Sequence, residues 1–390
     1  MKRLKKIVIY CGELPPPTFI DRLIVGLAQE DFKLYISGRK RGALHYPKQI
    51  SVLTYSGKIS QIFTVLLYTF LLWLQRPKDK KVLDNWIKKR KVGSFNARLK
   101  FYPILYQRPA AVHLQWVKSI SDWTWVKKLD IKLVVSLRGA HINYTPIANP
   151  EYVEIYKKCF PLVDGFHAVS DAIKIEAKAY GLIEQKSKVI YSGLDLNNFS
   201  FKTEKKSNSK LQIISIGRGH WKKGYDNALD GLKILKDKNV SFHYTIVGIE
   251  ENEELLFQRK QLGLEKEVTF LMKMDFESVK LKIQTSDILL LPSVEEGIAN
   301  VAIEAMALGT MVVSTDCGGM MEVIKDNENG FIFKVRNIEQ MADKIQYVMN
   351  LSNEKQRKII ENARITVENQ HSAEKMIHSF SNFYKEIINE

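Results

Sequence analysis

"DILLLPSVEEGIANVAIEAMALG", Asp287 to Gly309, decides the fold. After Asp287 the chain runs through a short unbroken apolar stretch, as a strand covered on both faces of a parallel sheet requires. "SVEEGIAN" then turns around Gly297, and "VAIEAMALG" continues as a helix closed by Gly309, the residue type that ends helices. Strand, tight turn and helix in succession form the repeating unit of a doubly wound α/β domain, and the turn falls at the C-terminal edge of the sheet, where such domains hold ligands. Two carboxylates bracket it, Glu296 in the loop and Glu304 about one turn into the helix. An acidic residue near a helix N-terminus is favoured by the helix dipole alone, but that explains neither the glycine nor the spacing.

Working outward, the same alternation fills the chain. "KIVIY" (6–10), "KLYIS" (33–37), "AVHLQW" (111–116), "KLVVSL" (132–137) and "GFHAVS" (165–170) form one series of strands. "LQIISIG" (211–217), "FHYTIVG" (242–248), "EVTFL" (267–271), "DILLLP" (287–292) and "MVVST" (311–315) form a second. Helical patterns between them supply right-handed crossovers, so two α/β domains are expected. The polar stretch Asp195–Lys210 reads as the linker, which divides the chain into residues 1–195 and 196–371. The final segment, 372–390, places Met376, Phe380, Phe383 and Ile387 at helical spacing and needs a surface to cover them.

A chain of 390 residues with 45% hydrophobic content can build two cores without disulfides. Cys11, Cys159 and Cys317 show neither CxxC nor zinc-ligand spacing, so reduced, cytoplasmic thiols are expected. Charge is uneven: residues 1–195 hold 33 Lys and Arg against 15 Asp and Glu, while the remainder hold 26 against 28. The basic half predicts an anionic partner.

"SIGRGHWKKGYDNALDGL", Ser215–Leu232, is strand, glycine-rich turn and helix. Gly217 and Gly219 invite a dinucleotide reading, but Lys222 stands where the third glycine would be, and that reading fails. Arg218 and Lys223 remain at the mouth of the sheet beside a helix N-terminus, which suits a phosphate. The backbone N–H groups of Ile298, Ala299, Asn300 and Val301 offer a similar anion seat, and carboxylates nearby can accept hydrogen bonds from vicinal hydroxyls.

Taken together, "GRGHWKKG", "EEGIANVAIEAMALG" and "STDCGGMMEVIKDNENGFIF" (314–333) resemble the nucleotide-sugar half of family four glycosyltransferases of the GT-B fold. That family's E-x7-E signature corresponds here to Glu296 and Glu304. The agreement is strong over 213–333 and holds only in outline before it. The resemblance implies two Rossmann-like domains facing a central cleft, with the terminal helix returning to the first. It implies retention of anomeric configuration, and assigns Arg218, Lys223 and Glu296 to catalysis: the cations on the diphosphate, Glu296 on the donor sugar. It assigns Glu304 to the ribose and Gly217, Gly297, Ile298, Ala299, Asn300 and Val301 to the donor's surroundings. Gly318, Gly319 and Glu322 would form a turn beside the donor sugar. From the first domain, Gly12 on its first loop and either Arg138 or His141 would approach the donor.

Cleaving a sugar–phosphate bond builds negative charge on the leaving oxygen, which fixed donors or a metal must stabilise. The chain contains no DxD pair, so cations and a helix N-terminus are expected to serve and no metal or other cofactor to be required. The nucleotide sugar is a substrate, and the acceptor a saccharide or a lipid-linked saccharide. The apolar run Ile62–Leu74 has thirteen residues, short of the roughly 20 that cross a bilayer. Followed by the basic stretch Arg76–Gly93, it reads as an interfacial helix making peripheral membrane contact, on the inner face of the membrane. A nucleotide-sugar epimerase or hydrolase of the same fold is the enzymatic alternative. A basic nucleic-acid-binding protein would account for the charge, but no nucleic-acid-binding motif is present and nucleic acid is not the expected partner.

Overall fold

The computed structural model of the chain describes residues 4–55, 57–90, 93–203, 210–249 and 251–389. It divides into two compact units: Met1–Val169 with Ile173–Gly193 and Ala373–Glu390, and Leu194–Ser372 with Ser170–Ala172.

The first unit is a seven-stranded parallel sheet in the order β3-β2-β1-β4-β5-β6-β7. Its strands are β1 (Lys5–Leu14), β2 (Phe32–Lys40), β3 (Ile50–Leu53), β4 (Ala111–Leu114), β5 (Lys132–Leu137), β6 (Gly165–Ala168) and β7 (Ser187–Val189). The helices α1 (Thr18–Leu27), α2 (Gly57–Gln75), α3 (Pro77–Arg90) and α4 (Ser94–Gln107) lie among them. Alternation along β1 serves two cores. Ile7 and Ile9 face one, to which the C-terminal helix Ala373–Asn389 contributes Met376, Phe380, Phe383, Tyr384 and Ile387. Val8 faces the other, built around Trp123, Trp125, Phe101 and Tyr102. The terminal helix is therefore part of the first unit.

The second unit is a six-stranded parallel sheet in the order β10-β9-β8-β11-β12-β13. The strands are β8 (Leu211–Ile216), β9 (Phe242–Val247), β10 (Val268–Leu271), β11 (Ile288–Leu291), β12 (Met311–Thr315) and β13 (Phe331–Phe333). The order reverses direction between β8 and β11, as it does between β1 and β4 in the first unit. At such a switch point the loops leaving the two strands diverge and open a crevice.

Several expectations are corrected. β3, β7 and β13, of four, three and three residues, lie outside the apolar runs read as strands; β7 and β13 are too short to show a period. Of the expected linker, residues 204–209 lie outside the described residues, but the preceding part belongs to the second unit: Phe199 is buried in the same core as Leu289 and Ile303. Gly12 is not in a loop. β1 continues to Leu14, and Gly12, with φ of 81°, occupies a bulge where the register with β2 shifts. The apolar run is the centre of a 19-residue helix, α2, long and apolar enough by length and composition to cross a membrane. Yet α2 is docked along one side, with Leu72 fully buried and Tyr68 against Tyr106 of α4. Lys91 and Val92 of the basic stretch lie outside the described residues.

Candidate functional site

The β8 loop and the β11 loop of the second unit are fastened together. After β8, residues Trp221–Lys223 form a 3-10 turn closed by Gly224. Gly224 has φ of 64°, and a Cβ there would lie 2.0 Å from the carbonyl oxygen of Pro292, so only glycine lets the loops meet. Val294 donates its backbone N–H to Lys222 O at 2.7 Å, completing the junction. On the other side of the β11 loop, Gly318 (φ of 50°) leaves room for the Glu296 carbonyl, and Gly319 N–H donates to Gly297 O at 2.7 Å.

This scaffold brings Lys223 Nζ to 2.5 Å from Glu296 Oε1, with Lys222 Nζ 3.8 Å from Oε2 and Ser293 Oγ donating to Oε1 at 3.2 Å. Burial pushes the Glu296 carboxyl up, but Lys223, Lys222 and the Ser293 hydroxyl outweigh that, and its pKa is lowered. An ionised carboxylate thus sits beside two lysine side chains at the switch point. Arg218 is exposed on the same loop, and Gly217 abuts the Lys223 side chain.

The helix Asn300–Leu308 begins at the end of the β11 loop. Asn300 and Val301 are its first two residues, whose N–H groups no intrahelical carbonyl can reach. Glu304 is half-buried on its second turn. Ala299 is a correction: its N–H points at Met320 Sδ, 3.4 Å away in the buried interior, and does not open onto an anion seat. Glu322 lies just past the Gly318–Gly319 turn, and its carboxylate accepts the Asp171 and Ala172 N–H groups, each at 2.9 Å.

Three participants went unnoticed in the sequence. Lys222 and Ser293 flank the expected residues, and only the fold shows that both turn toward Glu296. Tyr225 opens the helix after the lysine loop; its buried hydroxyl has no hydrogen-bond partner among the described residues. A Cβ on Gly217 would lie 2.9 Å from that hydroxyl and 3.0 Å from Lys223 Cε. A buried unpartnered hydroxyl beside a cation is costly and marks a place made for a further polar group.

In the first unit, Gly12, Arg138 and His141 gather around Trp116, which sequence reading took only as a strand end. Trp116 Nε1 donates to Cys11 O at 2.8 Å, its ring borders the open side of Gly12, and the His141 ring is 5.5 Å from it, centre to centre. Arg138 lies over Phe19 at 4.6 Å and Trp116 at 5.9 Å, and donates to Gln115 Oε1 at 2.8 Å. Burial lowers its pKa to about 9, and its Nε finds no partner among the described residues. Among the described residues, no group of three or more His, Cys, Asp and Glu side chains is placed to hold a metal ion.

Residues 197–366 match the family model "Glycosyl transferases group 1". The fold is GT-B: the chain superposes on an Anabaena protein, Alr3699/HepE, crystallised with UDP and glucose, with a TM-score of 0.69, covering 98% of this chain and all of that one at 18% identity. Among curated sequences, WcaL of Escherichia coli K12, named for colanic acid biosynthesis as a glycosyltransferase, is 29% identical over 61% of this chain and 60% of its own length. The amylovoran biosynthesis glycosyltransferase AmsK of Erwinia amylovora is 30% identical over 56% of this chain and 55% of its own. The chain thus matches little more than half the length of these curated relatives.

Proposed function

We propose that the protein is a retaining glycosyltransferase that moves a sugar from a nucleotide donor to a hydroxyl of a saccharide or lipid-linked saccharide, in polysaccharide or glycolipid assembly. The observation that carries this reading is the Lys222–Lys223–Glu296 cluster at the switch point of a domain matched to group 1 glycosyltransferases. Support for the nucleotide comes from the HepE structure and for the biological setting from the names of WcaL and AmsK.

Arg218 and Lys223, with the Asn300 and Val301 amides, receive the diphosphate; Glu304 accepts the ribose hydroxyls and Glu296 those of the sugar. As the bond from C1 to the phosphate oxygen breaks, its electron pair passes to that oxygen, whose charge these donors stabilise. Such a donor contributes about 3–4 kcal/mol at the transition state. The acceptor oxygen bonds to C1 from the same face, and its proton passes to the departing phosphate. The charge these residues stabilise is the charge a metal would otherwise neutralise, so turnover proceeds without a divalent cation. Arg138 and His141 belong to the same reading as donor-contacting residues, with the buried guanidinium beside Trp116 the better placed for an anion.

Peripheral contact with the inner face of an anionic membrane completes the reading, supported by the excess of cations in residues 1–195 and by the apolar side of α2. The test is a screen of nucleotide sugars for thermal stabilisation, product formation and anomeric outcome, with and without EDTA, repeated on Glu304→Ala and Lys223→Ala. An inverted product refutes the mechanism; identical donor responses in the wild type and both variants refute the site.

A further inference from the structure

Two lysines serve one carboxylate in the second unit, and they serve different oxygens of it. Lys223 Nζ lies 2.5 Å from Glu296 Oε1, and Lys222 Nζ lies 3.8 Å from Oε2. Both lysine side chains are 18% exposed, so Lys222 is no more a surface residue than its neighbour. The backbone of Lys222 is also tied to the loop that carries Glu296. Its carbonyl accepts the Val294 N–H at 2.7 Å, two residues before Glu296, and its own N–H donates to His220 Nδ1 at 3.3 Å. The Lys223 side chain lies instead against Gly217, beside the Tyr225 hydroxyl that has no partner among the described residues.

A diphosphate arriving at the Gly217–Arg218 turn changes the balance around Glu296 in two ways. Its charge draws on Lys223, the lysine beside Gly217, and its own like charge raises the affinity of the carboxyl for a proton. A carboxylate only 10% exposed has little water to replace a lost partner. Once protonated, it gives up part of its capacity to accept hydrogen bonds from hydroxyls. Ser293 Oγ, 3.2 Å from Oε1, supplies a hydrogen bond but no charge. Cys317 and Tyr225 also feel the carboxylate, but burial raises both, the thiol to about 12, so neither offers it a counter-charge near neutral pH. Glu295, the preceding residue, is itself acidic. The task therefore falls to Lys222.

We propose that Lys222 is a positioning residue, which takes over the Glu296 carboxylate when Lys223 is drawn to a donor diphosphate. In the free protein Lys223 holds Oε1. With the diphosphate bound, Lys223 turns to the phosphate oxygens and Lys222 closes on Oε2, so that Oε1 is released to accept the hydroxyls of the sugar. The proposal rests on the glycosyltransferase reading and deepens it, because it gives two adjacent lysines separate tasks: one meets the phosphate and the other acts only through Glu296.

The test uses the full chain and four probes, the diphosphates of uridine, guanosine, adenosine and thymidine. Binding is measured calorimetrically at pH 7 in two buffers of different ionisation enthalpy, and the variants are compared on the diphosphate that the wild type binds most tightly. Lys223→Gln should bind it roughly tenfold more weakly than wild type, and Lys222→Gln within about threefold, since only Lys223 gains a charge-assisted contact to phosphate. On binding, Lys222→Gln should take up about half a proton more than the wild type, because Glu296 then loses both lysines. Titration of the nucleotide is common to all the proteins and cancels in that difference. Lys222→Arg should match the wild type in both measurements, and adding Glu296→Gln to Lys222→Gln should abolish the extra uptake. Lys222→Met, which keeps the aliphatic stem, repeats the comparison should the glutamine variant not fold. A loss of affinity in Lys222→Gln equal to that in Lys223→Gln would make Lys222 a phosphate ligand and overturn the proposal. Proton uptake equal to that of the wild type would overturn it as well. A wild type that binds none of the four diphosphates defeats the glycosyltransferase reading itself, whereas one that binds a diphosphate with no extra proton in Lys222→Gln defeats only the exchange of lysines.

Discussion

Lys223 and Glu296, 73 residues apart in sequence, form a 2.5 Å ion pair in which both side chains are at least four-fifths covered. A pair this buried contributes less to net stability than its geometry suggests, because both charges were taken out of water. Its value lies in what happens when one member is removed. Lys223→Ala leaves Glu296 ionised and covered, with Lys222 at 3.8 Å as the remaining counter-charge. The expected result is a loss of roughly 3 kcal/mol of stability and a fall in turnover of about 100-fold or more. Adding Glu296→Gln to this variant should restore part of the stability and none of the turnover. Thermal unfolding beside initial-rate kinetics separates the two effects.

The same pair has a pH signature. Because the folded pKa of Glu296 lies below its ordinary value, its contribution is present above the unfolded carboxyl range and disappears as pH falls through the folded value. In Lys223→Ala the carboxyl loses its largest opposing influence and should take up a proton at higher pH than in the wild type. Proton uptake measured by titration of wild type against variant checks the direction.

Tyr225→Phe removes a buried hydroxyl that has no partner among the described residues, and its effect should split cleanly. Without ligand the variant should be as stable as wild type or slightly more so, since a buried donor without a partner costs roughly 1–3 kcal/mol. With a nucleoside diphosphate it should show a smaller thermal stabilisation, because the hydroxyl beside Lys223 and Gly217 is then missing from the anion's surroundings. Equal ligand-induced shifts in the two proteins would remove Tyr225 from the site.

How much of this was legible beforehand depends on the scale of the signal. Strands such as Lys132–Leu137 and Met311–Thr315 stand where the apolar runs place them, because a parallel strand buried on both faces has few other compositions open to it. Glu296, Glu304 and Lys223 carried the resemblance to a family. Tyr225 and Ser293 carried no such signal, since a tyrosine at a helix start and a serine after a strand have many ordinary uses. Trp116 was hidden for another reason: its role comes from Gly12, Phe19, Arg138 and His141, which meet it only after the β1–β4 crossover is made. Glu322 carried no sign in the sequence of its hydrogen bonds to the Asp171 and Ala172 amides, because those residues lie about 150 positions away.

The last prediction concerns the buried histidines of the first unit. His113 hydrogen-bonds Tyr384 at 2.6 Å and Ser136 at 2.8 Å, while His167 bridges Ser136 at 2.8 Å and the Ile190 carbonyl at 2.9 Å, tying the C-terminal helix to the middle of the sheet. Burial first, and then the nearby positive charge of Arg138, lower both pKa values, that of His167 to about 3. The unfolded chain therefore binds more protons than the folded one between about pH 3 and the ordinary histidine value of 6.5. Stability of this unit should rise with pH across that window and level off above it, with a slope of at most about 1.4 kcal/mol per pH unit for each histidine. Tryptophan fluorescence is a suitable probe, because Trp221 alone of the six tryptophans lies in the second unit. Urea midpoints followed at pH 4.5 and 7.5 should differ in the wild type and differ less in His167→Gln, which keeps a hydrogen-bonding group for Ile190 but binds no proton in this range. Equal pH dependence in both proteins would place the acid sensitivity elsewhere.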